Sequence, residues 1–172
     1  MKRIVIVNQK SDDLCHAVKE QLPKAIEYPD FNWQPQSQDI ICWIPNDEIR
    51  VDLAVSDLAA KLDQSAVQPA KIIMKSIAGT ADDATDDQLT RWYGETGQNM
   101  VMDHLYAIKM IDELEFPYTI VRSLPLTNDD VQRCLMTEGQ PYRGNYSNIQ
   151  QVATIIAQAT DPEKFKNQSI GI

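Results

Sequence analysis

The sequence is poor in the residues that build metal centres and disulfide frameworks. It has three cysteines, Cys15, Cys42 and Cys134, and two histidines, His16 and His104, in 172 residues. The cysteines are odd in number and far apart, and no Cys-x-x-Cys or Cys/His spacing occurs, so no structural metal is expected. Reduced thiols, packed as small hydrophobes in a cytoplasmic protein, are the expectation. No apolar run approaches the roughly 18 residues of a membrane span. The stretch Ile4-Val5-Ile6-Val7 after Met1-Lys2-Arg3 is too short for a signal peptide and reads as a first strand. Positive charge is also scarce: 16 Lys and Arg stand against 25 Asp and Glu, a formal charge of -9. That balance argues against nucleic acid and anionic membrane surfaces as partners. There is no internal repeat and no low-complexity tract. One domain over residues 1–172, long enough to bury its own core, is expected.

What is present is an alternation of strand and helix patterns. The apolar run at 3–7 suits a strand covered on both faces. Residues 12–22 have helical spacing, with Leu14, Ala17, Val18 and Leu22 on one face. A weaker strand at 24–28 precedes a polar, proline-containing loop at 29–38. The next strand, 39–44, ends at Pro45. Leu53, Leu58 and Leu62 mark a helix at 50–62, and 71–75 is a third strand. Residues 81–87 are acidic and loop-like. Val101, Leu105, Ile108 and Ile111 share a face of a helix at 100–114, which Pro117 ends before a strand at 118–121. A short helix is expected at 130–137. Ser147 with Gln150 forms a capping-box signature ahead of a helix reaching about residue 159. A last strand is expected at 169–172. This alternation predicts an α/β fold, doubly wound in three layers around a mostly parallel sheet.

In such a fold ligands sit outside the carboxyl ends of the strands. Four stretches qualify: 8–13, 44–48, 76–80 and 123–128. The first, Asn8-Gln9-Lys10-Ser11-Asp12-Asp13, has none of the glycines that let a backbone approach a pyrophosphate. Lys10 is placed to meet a phosphate and Ser11 to cap the helix. Asp12 and Asp13 suit the helix dipole of an empty site but repel a pyrophosphate. An ordinary capped helix start is the favoured reading of this loop. In the third stretch Ser76 is a candidate for substrate or cofactor, with a turn or cap role as the plainer reading.

The segment Tyr118-Thr119-Ile120-Val121-Arg122, followed by Leu124-Pro125-Leu126-Thr127-Asn128, resembles the atypical short-chain dehydrogenase/reductase group, the NmrA-like NAD(P)H-binding Rossmann proteins. Tyr146 to Ala153, Asp161 to Lys164, Ser169 to Ile172 and Lys71 to Ile77 are similar to further segments of that group. The resemblance spans 71–172 and is thin before it. It implies a Rossmann-like fold shortened in its N-terminal half, because Leu22 to Asp39 has room for one strand where the family fits two and a helix. It implies NAD or NADP, held by Asn8, Gln9, Lys10 and Ser11, by Ile44 and Pro45, by Ser76 and Ile77, and by Ser123 and Leu124. It also implies hydride transfer to a small substrate in some members. The family's Gly-x-x-Gly-x-x-Gly is absent, and Ser123 stands where a proline usually follows the arginine.

The family's catalytic Tyr and Lys fall, by register, on Met100 and His104. Tyr106 and Lys109 lie out of register and read as an exposed pair. His104 is the one catalytic candidate, being titratable near neutrality in a site region, with a packed, hydrogen-bonded histidine as the plainer reading. Two functions follow: an NAD(P)-binding protein related to reductases, or a degenerate member acting as a regulatory or scaffolding domain without cofactor. A flavodoxin-like module binding another anion ranks below both. The Met-rich face of the 100–114 helix is a candidate homodimer surface.

Overall fold

The structure is a computed structural model that describes residues 2–47 and 49–172. Met1, and Glu48 at the end of the second candidate stretch, lie outside the described residues. In chain order the elements are β1 (Ile4–Val7), α1 (Asp13–Gln21), β2 (Ile26–Tyr28), β3 (Ile40–Trp43), α2 (Val51–Ser65), β4 (Lys71–Ile77), α3 (Asp86–Tyr93), α4 (Gly97–Glu113), β5 (Tyr118–Ser123), β6 (Leu126–Thr127), β7 (Ser147–Asn148), α5 (Ile149–Ala159) and β8 (Gln168–Gly171). Six strands form one parallel sheet in the order β2-β1-β3-β4-β5-β8, and β6 pairs with β7 beside it. This is a three-layer α/β Rossmann-like fold.

The layers follow from the two-residue period of buried strands. Ile6, Cys42, Ile73 and Val121 face one way, into a core shared with Leu14 and Val18 of α1 and with Val152 and Ile156 of α5. Val5, Ile41, Ile72 and Ile120 face the other way, against Val55 and Leu58 of α2 and against Ala107 and Ile111 of α4. Both faces are dry, which is why these strands read as continuous apolar runs.

The sheet changes direction at β1. The chain steps outward to β2, an edge strand, then returns past β1 to β3 through residues 29–39 without a helix. Aromatic packing fills this connection: Phe31 sits 5.9 Å from Trp33 and edge-on to Trp43 at 5.4 Å, ring centre to ring centre. Arg3 pins its end, donating to both oxygens of Asp39 at 2.8 and 2.5 Å.

Several local expectations need correction. The acidic stretch turns helical at Asp86, where Thr85 and Gln88 form a capping box. Residues 130–137 are not helical: Gln151 takes both backbone groups of Arg133, and Met136 bridges Gly171, so distant partners satisfy groups a helix would have paired. The cap of α5 is Asn148, not Ser147. The Ser147 hydroxyl instead donates to the Ile172 carbonyl and accepts from the Leu124 amide. On α2 the inward face is Val51, Val55, Leu58 and Leu62, and Leu53 is exposed. On α4, His104 and Ala107 take the inward face and Leu105 is partly exposed.

Candidate functional site

The direction change between β1 and β3 makes a crevice at the carboxyl end of the sheet, where doubly wound folds hold ligands. A cavity of about 460 Å³ lies there. The ends of β3 and β4 supply Ile44, Pro45, Lys75 and Ile77; the segment after β5 supplies Leu124 and Pro125. Trp92 and Tyr93 of α3 and Met100 of α4 close one side, and Asp12 and Asp47 carry the acidic side. Gly79 lets the helices come close. Its φ is +105°, and a Cβ there would lie 2.6 Å from Leu89 Cδ2 and 2.9 Å from Val101 Cγ2. Its amide donates to Asp83 Oδ1 at 2.6 Å.

Asp83 belongs to a buried network that fixes the crevice from below. It pairs with Arg122 of β5, both side chains being fully buried. Arg122 Nε also donates to Ser169 Oγ at 2.9 Å. The Tyr142 hydroxyl donates to the Arg122 carbonyl at 2.9 Å, and its amide donates to the Asp83 carbonyl at 2.8 Å. Full hydrogen bonding of the charged pair offsets much of its burial cost.

Lys75 is 8% exposed on an otherwise apolar strand. Burial lowers its pKa, and the charges of Asp47 and Asp12 partly oppose that. Among the described residues no acceptor lies within hydrogen-bond or ion-pair reach of its ammonium. One residue on, Ser76 faces α4, and a hydrogen bond of 3.0 Å joins its Oγ to His104 Nδ1. Burial, and then the Lys75 charge, push His104 down to about 3, so its ring is neutral near pH 7. Tyr93 donates to the Ala78 carbonyl at 3.1 Å, and burial raises its pKa.

The first loop is closed on itself. Asn8 Oδ1 accepts from the amides of Lys10 and Asp12, both at 3.2 Å. Asn8 Nδ2 donates to the Ile44 carbonyl at 2.8 Å and to Asp12 Oδ2 at 3.1 Å. Asp12 Oδ1 accepts from the Cys15 amide at 2.9 Å, capping α1. A carboxylate thus sits where a helix N-terminus would receive a phosphate. Ser11 has a φ of +49°, a left-handed conformation that favours glycine.

Residues 42–163 match the NAD(P)H-binding family. The chain belongs to that family. The match begins inside β3, so it leaves out β1, the first loop, α1 and β2. Among curated proteins, none matches the chain by sequence. Solved structures share the fold. A short-chain dehydrogenase/reductase from Veillonella parvula, in complex with NADP, is 15% identical with a TM-score of 0.71, over 99% of this chain and 94% of that one. A Rossmann-fold NAD(P)-binding family protein from Shigella flexneri is 15% identical with a TM-score of 0.65, over 99% and 93%. An oxidoreductase from Lactococcus lactis is 13% identical with a TM-score of 0.69, over 98% and 89%.

The family's dinucleotide has two ends, and the chain suits them unequally. The cavity, with Trp92, Tyr93, Met100 and Leu124 beside Asp12, Asp47 and Lys75, has the mixed lining of a small-molecule site. The pyrophosphate end does not fit as it stands, because Asn8 takes the Lys10 and Asp12 amides and the Asp12 carboxylate caps α1 at the Cys15 amide.

Of the residues expected from sequence, Ile44, Pro45, Ile77 and Leu124 line the cavity. Asn8 is buried and holds the loop closed, while Gln9 and Lys10 are exposed. Ser11 Oγ lies 3.1 Å from His16 Nε2. Ser76 and His104 bond to each other and are not among the lining residues. Ser123 is buried and its hydroxyl has no hydrogen-bond partner. Lys109 pairs with Glu113 at 3.7 Å and Tyr106 is half exposed, both away from the cavity. Lys75, Trp92 and Tyr93 were not expected; for Lys75 the signal was a charge inside an otherwise apolar strand.

Proposed function

We propose that this chain binds the nicotinamide end of NAD(P) in the crevice above β3, β4 and β5 and presents it to a small substrate. The observation that carries this reading is the cavity itself: it opens where the strand order reverses, and most of its lining belongs to the segment that matches the NAD(P)H-binding family. Ile44, Pro45, Ile77 and Leu124 would bracket the ring, and Trp92 and Met100 would exclude water. NAD(P), when bound, supplies hydride chemistry, and the protein supplies position and electrostatics. His104 and Ser76, bonded to each other off the cavity wall, brace α4 against β4 and take no step in this reading.

Three further statements belong to the same reading. The protein works in the cytoplasm, in keeping with its three free cysteines. Self-association, where it occurs, uses the exposed Met102, Leu105 and Tyr106 of α4. With one outer strand where the family fits two, no described residue is assigned to the 2′-phosphate, and NADH and NADPH are both ligands to be tested.

Calorimetric titration with NADH and with NADPH tests the reading. Saturable heat for both, with dissociation constants near or below about 100 µM, equivalent to roughly 5.5 kcal/mol, is expected. Silence at millimolar cofactor would favour a partner-binding domain that keeps the fold without the ligand.

A further inference from the structure

Strand β4 carries two buried lysines four residues apart, on the same face of the sheet. Lys71, at the amino end, is fully accounted for: its ammonium donates to the carbonyls of Asp161, at 3.1 Å, and Lys164. Lys75, at the carboxyl end, is 8% exposed, lines the cavity and has no such partner. The two acidic residues on the cavity wall act on it at a distance and form no ion pair with it. Asp12 spends its oxygens on the Cys15 amide and Asn8 Nδ2, and Asp47 is exposed to solvent. Its neighbours along the strand, Ile73 and Ile77, are apolar, whereas a largely buried ammonium that opens only on the cavity costs stability. Groups kept at such a cost cluster where ligands bind.

We propose that Lys75 seats the carboxylate of a small, flat, otherwise apolar substrate in this cavity. The proposal rests on reading the cavity as the ligand site of an NAD(P)-linked protein, and it names the chemistry of the second ligand. The rest of the wall fits such a body: Trp92, Tyr93, Met100, Leu124 and Pro125 present flat or flexible apolar surface. The anion goes to Lys75 and not to the α1 N-terminus, because the Asp12 carboxylate caps that end through the Cys15 amide and repels a second negative charge there. The ammonium and carboxylate would meet at low local polarity, where a charge-assisted hydrogen bond is strong.

The test uses a matched pair of probes that differ in charge and little else, benzoate and benzamide, titrated calorimetrically into the full chain. Benzoate is expected to bind at least tenfold more tightly than benzamide. Lys75→Met erases that preference and Lys75→Arg retains it. Asp47→Asn, which removes a competing negative charge at the rim, strengthens benzoate several-fold and leaves benzamide unchanged. Absence of saturable benzoate binding, equal affinity for the two probes, or an unchanged preference in Lys75→Met overturns the proposal. Should Lys75→Met not fold, an Asp47→Asn protein with unaltered benzoate affinity also overturns it. NADH titrated into the same samples separates the two readings. NADH binding without a benzoate preference removes the role of Lys75 alone. A benzoate preference without NADH binding removes the dinucleotide reading and leaves the carboxylate seat.

Discussion

The loop after β1 and the crevice beyond β4 and β5 meet at one cavity, yet they treat their polar groups in opposite ways. In the first loop the chain satisfies itself: Asn8 takes two amides, and Asp12 takes a third with a charge of its own. Beyond β4 and β5 the scaffold is satisfied, through Arg122, Asp83 and Tyr142, while Lys75 lines the cavity without a hydrogen-bond partner among the described residues. The difference separates two uses of buried polarity. Fully paired groups hold a shape, and unpaired ones wait for a ligand. The family match falls on the second region and omits the first.

Breaking the scaffold side should give the largest effect. Asp83→Asn or Arg122→Met leaves a buried charge without its partner, and a loss of about 3–5 kcal/mol is expected in urea unfolding. A loss below about 1 kcal/mol would mean the network is not what holds the crevice. The next effect is acid sensitivity. The folded-state pKa of His104, about 3, lies below its ordinary 6.5, so the unfolded chain takes up the extra proton between those values. This contribution to stability is complete above pH 6.5 and is lost as pH falls toward 3. Melting temperatures across that range should fall less steeply in His104→Gln than in the parent.

The first loop can be reopened. Asp12→Ser keeps a capping oxygen and removes the carboxylate, so stability should change by less than about 1 kcal/mol. NADPH affinity should rise about tenfold, or roughly 1.4 kcal/mol. Equal NADPH affinity in the two proteins would show that the carboxylate does not oppose the pyrophosphate. A second pH effect belongs to Lys71, whose pKa burial lowers from 10.5 to about 8. The unfolded chain holds the extra proton across that window, so stability should rise with pH from about 8 to 10.5. In Lys71→Met that slope should be absent from chemical unfolding curves.

Much of this architecture was legible in the sequence. The apolar runs at Ile4, Ile40 and Lys71 announce strands because both faces of each are dry. The shortage of chain between Leu22 and Asp39 announces one outer strand where two are usual, and β2 stands alone there. The missing glycines are visible directly, and Ser11 shows the backbone keeping a glycine-like conformation without one. Helix α3 was also within reach, since Thr85 and Gln88 have capping-box spacing. What stayed hidden depended on distant partners. Residues 130–137 have a helix-compatible pattern, but Gln151 and Gly171 claim their backbone. Ser147 and Asn148 are both good caps, and the Ile172 carbonyl decides between them by taking the serine. Lys71 and Lys75 look alike in sequence. Only the turn at Asp161 to Lys164, folded under one of them, makes the other the unpaired cation.

On the proposed function, ligands bind in the cavity over β4 and β5 and not at the first loop. Backbone amide chemical shifts, followed as NADPH is added to the uniformly labelled protein, test it most directly. Saturable changes are expected to concentrate at Ile44 to Asp47, Lys75 to Gly79 and Leu124 to Leu126, with the Gln9 and Lys10 amides moving least. Changes centred on residues 9–15 and sparse around Lys75 would contradict it.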